Sequence, residues 1–317
     1  MILAYNKNNR SPHTSRRSVQ WGHIFYRKEE LNIKKPQTFD QLVNILKSKN
    51  ILITDDIVAK TFLNHVNYYR FSGYFLPFQV NGHGPLFSNI EFERLTAIYE
   101  FDAQLRNLIA GAVDEIEIYL RTQLSYYHAH KYGEEGYMDT KNYNLKHNHS
   151  AFLNRVNSCI KENQRTLVVK HHINAYGGHF PIWVIIEYFS MGMISYFYAD
   201  MRNSDKAVLA QNLYNVNYQV LESWLRCLTD LRNKCAHYSR LYYWIFPALP
   251  KMPQSERYVP TRRLFGQLYM LKLMYPNHSK WNTDVCKPLI KLINKYKSYI
   301  SMKHLDFPYR WKSIIKY

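Results

Sequence analysis

Between Phe92 and His130, apolar side chains return every three or four residues, at Ile98, Phe101, Leu105, Leu108, Ala112, Ile116, Tyr119 and Tyr127. That period predicts one long amphipathic helix, with Gly111 a candidate bend. Its opposite face carries Asp114, Glu117, Arg121, Ser125 and His128 in one polar line. Alternating strand patterns are scarce elsewhere, so the chain reads as all-α.

Shorter helices surround this one. Thr38-Phe-Asp-Gln41 is a capping-box pattern ahead of Leu42, Ile45 and Leu46, and Thr54-Asp55-Asp56 caps a second helix through Val58, Phe62 and Val66. Residues 1–20, rich in Asn, Arg and Ser, read as a mobile basic arm, and 21–90 as an N-terminal helical unit and connector. That connector, Tyr68 to Gly84, is aromatic and broken by Gly73, Pro77, Gly82 and Gly84. The core is expected over 91–246. It has a loop over 131–150, a helix over 151–173, another from Pro181 through Tyr198, one capped by Ser204 and one over 217–243. Residues 247–317 read as a proline-bearing linker, Pro247 to Pro260, and a basic helical C-terminal tail with helices near 261–274 and 284–300.

Several classes are excluded. A chain of 317 residues with 46% hydrophobic and 21% charged residues can bury a large core and is neither disordered nor fibrous. The longest apolar stretch, Ile182 to Phe197, carries Glu187 and Ser190 and falls short of the roughly 20 residues that span a bilayer. It is expected to be a buried helix, and no membrane partner is expected. The first residues run straight into Lys7, Arg10 and Pro12 without the apolar core of a secretory signal, so a cytoplasmic location is expected. Cys159, Cys227, Cys235 and Cys286 form no CxxC pair, and reduced, mostly buried thiols are the default. His147 with His149, and His171 with His172, lack a carboxylate or thiolate at ligand spacing, so neither a metal nor another cofactor is expected.

Charge points to an anionic partner. The formal net charge is +18 and the excess is uneven. Lys251 to Tyr317 holds fourteen Lys and Arg against three acids, whereas Glu91 to Leu120 holds two against seven. A basic end region is a footprint for a phosphate backbone, with Arg240, Arg262, Arg263, Lys291 and Lys295 as candidate RNA contacts. Codon bias inflates Lys, Asn, Ile and Tyr together and competes with that reading. Some of the 28 tyrosines could stack on unpaired bases, although most such residues belong to cores.

The segment from Val220 carries the chemistry. At 100° per residue, Val220, Leu221, Trp224, Leu228, Leu231 and Cys235 share an apolar face, and Glu222, Arg226, Asp230, Asn233 and His237 fall on the other. Arg232 departs from this split and projects into the apolar sector, about 140° from His237, which calls for an interface or a site to accommodate it. Spacing alone says little, because 18 Arg and 14 His in a chain of this length give roughly one such Arg–His pair by chance. The residue types say more. Histidine can take a proton from a ribose 2′-OH or give one to a departing 5′-oxygen, guanidinium can stabilise the crowded phosphate, and Asn can orient either. One histidine cannot readily serve both sides of an in-line displacement, so the scheme prefers a symmetric dimer or a second site. A helix-terminal Arg and His capping carbonyls is the competing structural reading.

The run RNKCAHYSRLY from Arg232 resembles the Arg-Asn-x-x-x-His signature of the HEPN superfamily, in the form seen in bacterial abortive-infection proteins of the AbiD/AbiF type. FLNHVNYYRFSGYFLPF from Phe62, IYEFDAQLRNLIAGAVDEIEIYLRTQLSYY from Ile98 and PIWVIIEYFSMGMISYFY from Pro181 agree with it, over roughly residues 34–245. The resemblance implies a HEPN-like helical bundle and a phage-defence or toxin-like role. It further implies metal-independent RNA cleavage at a site shared by two HEPN units, with Arg232, Asn233 and His237 as the catalytic set. Some relatives are associated with a small non-coding RNA, so a non-catalytic ribonucleoprotein is the alternative. Glu117, Arg121 and His128, on the other core helix, form a possible second polar set.

Overall fold

In the computed structural model, residues 34–80 and 86–317 are described. The basic arm over 1–20, and Gly82 and Gly84 of the connector, lie outside the described residues. From Phe39 to Tyr317 the chain forms one compact unit.

The long helix, α4, runs unbroken from Phe92 to Tyr132, 41 residues or roughly 60 Å. Gly111 does not interrupt it. α4 ends at Gly133, whose φ of 81° suits glycine and whose amide closes on the Ala129 carbonyl at 2.8 Å. Before it come α1 (Phe39–Ser48), α2 (Asp56–His65) and α3 (Tyr68–Ser72). Asp55 caps α2 through the amides of Ile57 and Val58, but the face it buries holds Ala59 and Leu63, while Val58 is exposed. Two-residue parallel strands, β1 (Ile51–Leu52) and β2 (Ile90–Glu91), fasten this unit to the start of α4.

After α4 come α5 (His149–Glu162), α6 (Leu167–Ala175), α7 (Ile182–Ile185), α8 (Met191–Asp200), α9 (Asn203–Tyr214) and α10 (Tyr218–Ala236). α10 packs between α8 and α4, and α7 also lies on α4. The C-terminal helices α11 (Leu264–Met274), α12 (His278–Trp281), α13 (Lys287–Tyr296) and α14 (Trp311–Ile315) share this core. α13 lies along α4 through Leu289, Leu292, Ile293 and Tyr296. The fold is an all-α bundle.

Several features differ from the sequence expectation. α9 starts at Asn203 after Arg202, so Ser204 lies inside the helix and does not cap it. The helix expected from Pro181 through Tyr198 breaks at Phe189, and Ser190 caps the restart by accepting from the Met193 amide at 3.2 Å. The helix expected over 151–173 is two, separated by a Thr166 cap. The helix expected over 217–243 ends at Ala236, because Tyr238 turns into the left-handed region at φ 54°.

The polar line on α4 is also not a solvent face. Glu117, Arg121, Ser125 and His128 are all buried, and only Asp114 points outward. Among the described residues, no helix is long and apolar enough to cross a membrane.

Candidate functional site

The end of α10 is built as a left-handed helix stop. The Ser239 amide reaches back to the Lys234 carbonyl at 2.8 Å and the Tyr238 amide to Cys235 at 3.1 Å. This is the Schellman pattern, with His237 the last half-helical residue and Tyr238 where glycine is usual. A tyrosine in that conformation costs on the order of 1 kcal/mol.

Surrounding groups hold the turn in place. Arg70 donates to the Tyr238 carbonyl at 2.5 Å, and Arg106 reaches the Ser239 carbonyl at 3.5 Å. Asp102, fully buried on α4, accepts from the amides of Leu241 at 3.1 Å and Tyr242 at 2.7 Å, from the Tyr74 hydroxyl at 2.6 Å and from Arg106 at 2.5 Å. Burial pushes the Asp102 carboxyl up, against the Arg106 guanidinium, the Tyr74 hydroxyl and the two amides, which all favour the charged form. The Tyr74 hydroxyl is driven well above its ordinary range by the same burial and by the Asp102 charge.

One turn earlier, Arg232 and the α4 polar set meet. Arg232 Nε lies 3.5 Å from Glu117 Oε2, while Glu117 Oε1 accepts from Arg121. Arg121 also donates to the carbonyls of Ile186 and Phe189 at the break before α8, where the Ile186 carbonyl accepts the Phe189 amide as well at 3.1 Å. The anionic neighbour that Arg232 requires is therefore Glu117.

Asn233 and His237 are exposed, and among the described residues their side chains make no hydrogen bond. Cys235 between them faces inward, and burial pushes its thiol up to about 12, which disqualifies it as a nucleophile at neutral pH. Lys234 lies over the Trp244 ring at 3.5 Å.

The remaining predicted residues divide. His128 is not brought to the Glu117–Arg121 pair: it is wholly buried among Tyr132, Tyr143 and Phe197, and among the described residues neither ring nitrogen has a hydrogen-bond partner. Desolvation lowers its pKa to about 4, only partly opposed by Asp205. Arg240 is part-buried, donates to the Tyr242 carbonyl at 2.9 Å and packs so close to Gly73 that a Cβ there would stand 3.3 Å from its Nε. Arg263 lies over the Tyr243 ring at 4.4 Å. Arg262, Lys291 and Lys295 are exposed. His147 and His149 are linked at 3.1 Å in a chain running from the Asp200 carboxylate to the Met138 carbonyl.

Sequence reasoning missed Asp102, Arg106, Tyr74 and Arg70. One signal was available, since Asp102 and Arg106 form an i,i+4 charged pair inside the apolar sector of α4.

Residues 61–243 match the family described as Abi-like protein. No curated protein and no solved structure matches the chain. The matched segment includes every residue of the α10 stop, its clamp and the Glu117 pair, and it ends before α11.

Proposed function

Since the chain belongs to the Abi-like protein family, we propose that it acts in abortive infection against phage, as a HEPN-type endoribonuclease that cuts RNA without a metal through Arg232, Asn233 and His237. The observation that carries this reading is the end of α10. Two exposed polar side chains, Asn233 and His237, without hydrogen bonds among the described residues, share the last two turns of α10 with Arg232, whose guanidinium a carboxylate oxygen reaches at 3.5 Å. A structural cap would have spent these groups on carbonyls, as Arg240 is spent on Tyr242.

In this reading His237 moves the proton at the ribose 2′-OH or at the departing 5′-oxygen, Arg232 stabilises charge gathering on the phosphate, and Asn233 orients it. The complementary proton transfer comes from His237 of a second copy, which makes a homodimer through the end of α10 the working unit. The test is cleavage of single-stranded RNA in EDTA by the full chain and by His237→Ala. The variant is expected to lose at least about a hundredfold in rate. Its stability should change by less than about 0.5 kcal/mol, because the side chain is exposed. Equal cleavage by both proteins would remove His237 from the chemistry.

A second reading is a non-catalytic RNA-binding protein that holds a small structured RNA. The outer face of α13 favours it, where Lys287, Lys291 and Lys295 stand exposed at successive turns. RNA retained by His237→Ala without any cleavage by the unsubstituted chain would select it.

A further inference from the structure

The polar stripe of α10 does not end in solvent. Arg226, Asp230 and Asn233 form one wall of a groove of about 370 Å³, and Ser195 and Tyr196 of α8 belong to the facing wall. Nearby polar groups are already used: Glu222 pairs with Lys206 at 3.2 Å, and the Thr229 hydroxyl bonds to the Leu225 carbonyl at 2.8 Å. The other five are not. Among the described residues Ser195, Tyr196, Arg226, Asp230 and Asn233 make no side-chain hydrogen bond or ion pair, and the Asp230 Oδ2 atom is sealed from solvent without a donor. A buried carboxylate oxygen left unmatched costs free energy, which a side-chain rotation that turns it toward a ligand offering N–H groups would recover. Burial pushes the Asp230 carboxyl up, opposed by the charge of Lys234, which is the same desolvation seen from the proton's side.

We propose that this groove is a base-recognition subsite beside the α10 end, which takes a guanine of single-stranded RNA, with Asp230 reading its Watson–Crick edge, Tyr196 stacking on its ring and Arg226 meeting a flanking phosphate. An ionised carboxylate only accepts. Guanine alone among the four bases presents two adjacent donors, N1–H and the N2 amino group. Uracil sets its single N–H between two carbonyls, and the amino groups of adenine and cytosine adjoin a ring nitrogen that would face the carboxylate lone pair to lone pair. Tyr196 is three-quarters exposed (74%) and supplies the flat apolar surface that a base requires. Asn233 belongs both to the groove and to the proposed catalytic set, so a base held here lies next to the linkage to be cut. The inference rests on the reading of the chain as an RNA-cleaving protein.

The test uses the full chain carrying His237→Ala, so that RNA survives, and measures binding by fluorescence anisotropy. The probes are short single-stranded oligouridylates, unmodified or with one internal guanosine or one inosine, which lacks the N2 amino group. The guanosine oligomer should bind about tenfold to a hundredfold more tightly than the plain one, and inosine should forfeit most of that margin. Adding Asp230→Asn should abolish the guanosine preference and leave oligouridylate affinity no weaker, because it removes a negative charge beside the RNA and, among the described residues, that side chain has no hydrogen bond to lose. Tyr196→Ala should weaken all three probes alike. Binding without base preference, or a preference that survives Asp230→Asn, overturns the subsite and leaves the RNA reading standing. No binding of any probe by either protein overturns both.

Discussion

Glu117 of α4 holds two arginines at once, Arg121 on one carboxylate oxygen and Arg232 of α10 on the other at 3.5 Å. The two arginines differ in what else supports them. Arg121 is buried and retains the Ile186 and Phe189 carbonyls, whereas Arg232 is over a third exposed and, among the described residues, has only Glu117. Glu117→Gln should therefore destabilise the fold by about 3 kcal/mol through the Arg121 side, as expected for breaking a buried pair. Urea titration measures it, and a loss below about 1 kcal/mol would show that the two carbonyls suffice for Arg121.

Asp102→Asn tests the clamp. The carboxylate satisfies Arg106, Tyr74 and the Leu241 and Tyr242 amides, and an amide can neither neutralise the guanidinium nor accept from all four. A loss of about 3–5 kcal/mol is expected, with hydrogen exchange at the Leu241 and Tyr242 amides accelerated ahead of the rest of the chain. Unchanged protection of those amides would refute the clamp.

Tyr238→Gly should stabilise the protein by about 0.5–1 kcal/mol. The residue sits at φ 54°, is 68% exposed, and the bond from Arg70 goes to its carbonyl, which glycine keeps. A thermal melt decides this, and destabilisation would mean that the ring packs in solution.

His128 gives a pH dependence of known sign. Its folded pKa, about 4, lies below the ordinary 6.5, so the unfolded chain binds the proton more readily. The stability contributed by the neutral ring is fully present above pH 6.5, is lost progressively as pH falls toward 4 and levels off below that. The total is on the order of 3 kcal/mol. His128→Phe, which keeps a flat ring, should flatten the urea midpoint between pH 6.5 and 4, and an unchanged slope would assign the acid sensitivity elsewhere.

The exposed lysines of α13 test the RNA-holding reading. Reversing Lys291 and Lys295 to Glu should weaken single-stranded RNA binding and reduce the slope of log affinity against log salt by roughly 1.4 if each meets one phosphate. An unaltered slope would make α13 a bystander.

How far the sequence discloses all this depends on the kind of interaction. The period of α4 and the split faces of α10 were legible because each reflects burial along a single helix. The fate of the α4 polar line was not, since Glu117 and Arg121 are matched by Arg232 of a distant helix and by two carbonyls at the break before α8. Ser190 in the middle of an apolar run was the local sign of that break. The candidate site's last turn was singled out by its residue types, yet the length of α10 was overestimated, because Tyr238 in a left-handed turn has no local signature and the turn is held from outside by Arg70, Arg106 and Asp102.

The Asp102 clamp also sets a schedule. During synthesis α4 leaves the ribosome long before Leu241 and Tyr242 exist, and until those two amides arrive the buried carboxylate lacks two of its four partners. The turn behind His237 consequently gains its full set of partners only once translation has passed Tyr242, so a half-made chain lacks the groups that hold the end of α10 in its final form.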